Sequence, residues 1–159
     1  MTTYNVSNMS AINFNNTSLD KVIYDGVTVW ESWVYKTTPI TKTISSSSGG
    51  WNTEYNYNSG WINFSPRIKN PTISLSTTLT DGSAAKSYIQ LKYLDGTTSN
   101  VCSTNVDYAG GGGTKTDTSS TTITNGKEIT SYCIYASHWK FGGNSSNTAT
   151  FKNYYQRRV

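Results

Sequence analysis

The stretch "SYIQLKYLDGTTSNVCS" runs from Ser87 to Ser103 and decides the fold class. Ile89, Leu91 and Tyr93 fall at every second position, so in an extended chain they share one face. Asp95-Gly96 follows directly, and an Asp-Gly pair suits a tight hairpin turn that needs φ > 0. Outward from this hairpin the same grammar repeats. "PTISLSTTL" (Pro71–Leu79) alternates with Ile73, Leu75 and Leu79 as its inward set and is closed by Asp81-Gly82. "TITNGKEITSYCIYASHW" (Thr122–Trp139) reads as a hairpin about Asn125-Gly126, and "NTATFKNYYQ" (Asn147–Gln156) as one closing strand. "SWVYKTTPITKTI" (Ser32–Ile44) is a strand with a bend or edge at Pro39, because proline cannot donate to a ladder. Ser45–Gly50 and the segment opening with Ala109–Gly113 and reaching about Thr122 read as flexible polar loops. No 3.6-residue period is sustained.

This yields about eight short strands at regular turn spacing, the pattern of a sandwich. The expected fold is all-β, a jelly-roll-like β-sandwich over residues 33–159, preceded by an N-terminal segment and hairpin over 1–32. Composition agrees. Hydrophobic residues make up 35% and charged residues 14% of the 159, leaving a chain filled with Ser, Thr and Asn. Such a chain would stay disordered without its 12 Tyr, 5 Trp and 4 Phe, which bury large areas per residue. Thr, Tyr, Trp, Val and Ile favour strand over helix.

The formal charge is +4, but the basic residues are scattered rather than gathered on a stripe, so no nucleic-acid partner is expected. No apolar run approaches a membrane span. The opening "MTTYNVSNMSAINF" lacks the basic and apolar regions of a signal peptide. Assembly in a host cytoplasm and release by lysis is the expectation for so extracellular-looking a composition. Cys102 and Cys133 could bridge two sheets or lie free and buried, with free thiols favoured; they make no metal site.

Catalytic chemistry has few candidates. His138 is the sole histidine and sits among alternating aromatics, which favours a structural role. Of the nine acids, Asp25, Asp81 and Asp95 are explained as turn residues. Asp20, Glu31, Glu54, Asp107, Asp117 and Glu128 form no recognisable catalytic pair. There is no GxSxG elbow, calcium ladder, zinc spacing or phosphate loop. No enzyme, cofactor or metal is expected; a small hydrolase using His138 or Glu54 is the enzymatic alternative. Binding is better supported. Trp51, Tyr55, Tyr57 and Trp61 lie close together among Asn, Ser and Gly, and aromatic faces with adaptable polar neighbours suit a sugar or a protein surface. The bland alternative is that these rings build the core.

Residues 1–11 are polar and aperiodic and read as extended. Then "FNNTSLDKVIYDGVTVWES" (Phe14–Ser32) turns on Asp25-Gly26, which pairs Tyr24 with Val27, Ile23 with Thr28, Val22 with Val29 and Lys21 with Trp30. Apolar groups then occupy both faces, and a lone hairpin is marginal in water, so this one needs a cover. The stretch resembles a short element recurring in structural proteins of tailed bacteriophages: Phe14, Asn15, Lys21, Val22, Tyr24, Asp25, Gly26, Val29 and Trp30 match it. The resemblance covers about 20 residues. It implies a tail, fibre or capsid-decoration protein of the virion, with Val22, Tyr24, Val29 and Trp30 docking on another virion protein or a sister subunit. It also implies a homo-oligomer, a trimer being favoured, whose outward domain could bind a cell-surface polysaccharide. A free-standing carbohydrate-binding module is the alternative.

Overall fold

The computed structural model describes residues 12–14, 17–19, 21–24, 27–46, 54–139 and 143–158. Every regular element among them is a strand. Near the N-terminus β1 (Ile12–Phe14) pairs with β2 (Thr17–Leu19), a hairpin that the sequence reading did not anticipate. β3 (Lys21–Tyr24) pairs with β4 (Val27–Glu31). Tyr24↔Val27 and Ile23↔Thr28 are as expected, but a bulge then moves Val22 opposite Trp30 and Lys21 opposite Glu31. The expected Val22↔Val29 and Lys21↔Trp30 pairs are thereby corrected: an extra residue on one strand shifts everything beyond it. The Asp25-Gly26 turn itself lies outside the described residues.

The body is a two-layer sandwich whose layers share two long strands. β9 (Thr72–Tyr93) and β10 (Thr98–Thr122) form one long antiparallel hairpin. The first part of β9 pairs with β12 (Asn144–Lys152), which pairs with β6 (Ile40–Ser46). With the last part of β10 these make the smaller sheet. The second part of β9 pairs with β11 (Glu128–Trp139), and β11 carries β7 (Glu54–Asn58) and β8 (Ile62–Lys69) on its other side. β13 (Tyr154–Arg157) and β5 (Trp33–Lys36) complete the larger sheet. One distance proves the bend in β9. Ten residues of straight strand would span roughly 33 Å, yet Thr77 Oγ1 lies 2.5 Å from Ser87 Oγ. The strand folds over and faces itself.

Several expectations change accordingly. Asp81-Gly82 does not close a strand; Asp81 takes φ 52° and turns a continuous strand through the corner. The expected loop from the glycine run to Thr122 is ladder, with a register shift between Ala109 and Thr114 where β10 rounds the same corner. The Asn125-Gly126 turn joins strands of different sheets rather than a hairpin, since β11 pairs with β7, β8 and β9. The closing strand is two strands, β12 and β13, split at Asn153 with φ 52°. Asn70, φ 53°, does the same between β8 and β9. Short polar side chains tolerate the left-handed region, so single Asn and Asp residues mark where the chain changes sheets. The break at Pro39 falls between β5 and β6, as expected. Gly143 enters β12 where a Cβ would run into the carbonyls of Thr80 and Asp81.

The core fills from both layers. Ile73, Leu75 and Leu79 from one half of β9 and Ile89 and Leu91 from the other are fully buried, with Tyr93 at 6% exposure. Phe64, Tyr132 and Phe151 close a ring cluster at 4.6–5.1 Å between centroids. Toward the corner the interior turns polar. Thr77 contacts Ser87, Thr104 and Asn147, and Asn147 Nδ2 donates to the Tyr57 hydroxyl at 2.6 Å. A buried polar group left unpaired is costly, so the network joins the layers by mutual satisfaction. Both cysteines are buried and free; Cys102 occupies the bulge in β10, with φ 50°.

Candidate functional site

Because side chains alternate along each strand, each sheet also presents an outer face. On the larger sheet Tyr88 of β9 lies directly opposite Tyr135 of β11. Their rings stack at 5.0 Å between centroids and 12° between planes. Stacking uses one face of each ring and leaves the other toward the flanking strands, where Ser103 and Asn58 are the next register partners. Around the pair opens a cleft of about 720 Å³, with Asn56, Asn58, Lys86, Ser103, Asn105 and Ser137 on its lining. Partial burial, then Cys133 and the neighbouring Tyr88, push the Tyr135 phenol above its ordinary pKa. It stays protonated at neutral pH and can donate as well as accept.

The loop between β7 and β8 leaves the cleft at Asn58. Gly60 takes φ 65° and donates its N–H to Asn58 Oδ1, while Ser59 Oγ accepts the Ile134 N–H. Trp61 follows, 45% exposed, with Lys92 Nζ 5.9 Å from its ring centroid. Lys92, like Lys86 and Tyr88, is an even-numbered residue of the second half of β9, so Trp61 belongs to the same face. Farther along this sheet, Lys69 Nζ sits 4.1 Å over Trp33, and Tyr35 packs on Tyr155 at 5.3 Å.

The sequence-predicted residues separate. Trp51 lies outside the described residues. Trp61 is on the outer aromatic face. Tyr55 is half exposed at the start of β7, 6.1 Å from the His138 ring. Tyr57 turns inward: its hydroxyl meets Ser145 at 2.5 Å and Asn147, and burial raises its pKa despite those hydrogen bonds. Tyr57 is also on the lining of the cleft, together with its neighbours Asn56 and Asn58. Of the docking residues, Val22 is half-buried on β3; nothing is described of the side chains of Tyr24, Val29 and Trp30. His138 is fully buried between Tyr55 and Tyr57, and Glu54 is exposed opposite Trp139. Among the described residues no three His, Cys, Asp or Glu groups gather as a metal site.

Tyr88 and Tyr135 escaped the sequence reading. A signal existed: each sits on the polar side of its alternating strand, next to the inward Ile89 and Ile134. What was missing is the register that sets them opposite one another.

No family model and no curated protein matches the chain. Among solved structures it is similar to infectious bursal disease virus Gx strain, at 15% identity over 89% of this chain and 43% of that one, TM-score 0.44. It is similar to the VP2 subviral particle of the same virus at 16% identity, over 87% and 41%, TM-score 0.39. It is also similar to the enzymatically active domain of tailspike protein 4 of bacteriophage CBA120, at 10% identity, over 79% and 19%, TM-score 0.38. The chain spans less than half the length of each.

Proposed function

We propose that the chain is a non-enzymatic structural component of a tailed-phage particle whose sandwich binds a glycan on the host surface. The particle half of this reading rests on the Phe14–Trp30 element. The binding half rests on one observation, the stacked Tyr88–Tyr135 pair set in a cleft of amides and hydroxyls. Tyrosine offers sugar rings a rigid apolar face, and Asn and Ser offer donors and acceptors for their hydroxyls. Trp61 extends the platform. In this reading Val22, Tyr24, Val29 and Trp30 dock on another virion protein or a sister subunit, which covers the hairpin. Symmetric copies, with a trimer favoured, provide that cover. The protein is virion-borne, assembled in the host cytoplasm and released by lysis.

Mass spectrometry of purified particles tests the particle half, with a fixed copy number expected; absence from particles overturns it. A deletion of the N-terminal segment should abolish incorporation while the sandwich stays folded. It is best ended at Trp30, because Glu31 pairs with Arg157 at 2.6 Å and Arg158 N donates to Ser32 O at 3.1 Å. If the shortened chain unfolds, the two-part organisation fails. A free-standing carbohydrate-binding module is the second reading, since the cleft alone would serve it. Glycan binding by a protein absent from particles would select it.

A further inference from the structure

We infer that the ligand of the Tyr88–Tyr135 cleft is an acidic glycan, one bearing carboxylate or phosphate groups along its chain. The inference rests on the glycan reading of the cleft and adds the charge. Lys86 is exposed, lines the cleft, and lies two residues from Tyr88 on the same face of β9. No carboxylate among the described residues forms an ion pair with it. The lining also contains one carboxylate, Asp117, which keeps its charge but whose oxygens are turned to the backbone: Oδ2 accepts the Asn105 N–H at 2.9 Å and Oδ1 accepts the Thr118 N–H at 2.8 Å. An anionic ligand must therefore place its charge at Lys86 and away from Asp117.

The contrast with the other cations of this sheet sharpens the point. Arg67 pairs with Glu128 at 2.8 Å and Arg157 with Glu31 at 2.6 Å. Their charges are already answered within the protein. Lys86 and Lys92 are not so paired, and they stand six residues apart along one face, roughly 20 Å. Tyr88 lies between them. A polymer running along β9 would meet a cation, an aromatic platform and a second cation over Trp61 in succession. Neutral sugar hydroxyls can accept from the two ammonium groups, but an anionic repeat gains a hydrogen bond between opposite charges at each, the stronger interaction.

The test uses the full chain and immobilised polymers: polygalacturonate, its fully methyl-esterified form, and a glycerol-phosphate polymer. Retention of either anionic polymer at least tenfold above the ester is expected, and which one is retained separates carboxylate from phosphate. Lys86→Gln should lower that retention about tenfold, the scale of one charged hydrogen bond. Lys42→Gln, on the smaller sheet, should leave it unchanged. Equal retention of acid and ester overturns the inference and leaves the glycan reading standing. Retention of the acidic polymers that is insensitive to Lys86→Gln, or equally sensitive to Lys42→Gln, assigns it to diffuse positive charge and overturns the inference as well. Retention of no polymer, with Tyr88→Ala equally inert, removes the glycan reading and the inference together.

Discussion

The two outer faces of the sandwich share the long strands β9 and β10 and carry opposite chemistry. On the smaller sheet, cross-strand register lines up hydroxyls in rows: Ser45–Ser146–Thr78–Thr116, Thr43–Thr148–Ser76–Thr118 and Thr41–Thr150–Ser74–Ser120. Neighbours answer one another, with Thr43 to Thr148 and Thr78 to Thr116 both at 2.9 Å. No aromatic interrupts these rows. On the larger sheet Tyr88, Tyr135, Trp61, Trp33, Tyr35 and Tyr155 stand on the outer side with lysines among them. Self-paired hydroxyls stabilise their own sheet and ask little of a partner. Ring faces left open to solvent, and lysines without a carboxylate partner among the described residues, have more to offer one. The difference teaches that the abundance of Ser and Thr belongs to the scaffold, and that the scarce large residues left outside gather on one face, the one to which the proposed function assigns binding.

The comparison breaks most visibly through the tyrosine pair. Tyr88→Ala with Tyr135→Ala should reduce binding of whichever glycan is retained by about 30-fold or more, the scale of losing an interface tyrosine. Circular dichroism should show the fold unchanged. Equal binding would mean that the aromatic face is no more functional than the hydroxyl face. Next in size is Tyr57→Phe. It deletes the hydroxyl that meets Ser145 and Asn147 inside the sandwich, costing about 1–3 kcal/mol in denaturant unfolding. Binding should survive, because the phenol hydroxyl is engaged with Ser145 and Asn147 inside the sandwich.

A third prediction concerns pH. Burial raises the phenol pKa values of Tyr57, Tyr132 and Tyr154 above their ordinary value of 10.0. The folded state therefore holds these protons more tightly than the unfolded state. Stability from this source is complete below pH 10 and is lost as pH rises through the raised folded values. Tm followed from pH 8 to 12 should fall above 10, and a flat profile would contradict the interior placement of these rings. The smallest effect belongs to the hydroxyl face. Thr78→Val with Thr116→Val keeps the branched shape, should change stability by less than about 1 kcal/mol, and should leave binding untouched.

Much of the fold was legible. Alternation named Ile73, Leu75, Leu79, Ile89, Leu91 and Tyr93 as inward, and all are buried. Pro39 marked a true break. What could not be read is which sheet a strand joins after a corner. Asp81-Gly82 and Asn125-Gly126 look alike as local signals because both supply left-handed backbone. One nonetheless bends a continuous strand, while the other passes the chain between layers. The glycine run concealed ladder on either side of it, since glycine removes the periodicity by which strands are recognised. The candidate site was half legible. Trp61 stands on the aromatic face, but the Tyr88–Tyr135 pair depends on a register between segments distant in sequence, which no local pattern encodes.

The hairpin of β9 and β10 has a further consequence, for the order in which the chain folds. Its register runs unbroken in direction from Thr98↔Lys92 beside the Asp95-Gly96 turn out to Thr122↔Thr72. Each pair that forms shortens the loop to be closed for the next, so the hairpin can zip from one turn with little entropic cost per step. The remaining strands must return from far along the chain. The pair that belongs to both layers is thus also the pair that can form first, and both sheets then grow from one template already bent to face itself.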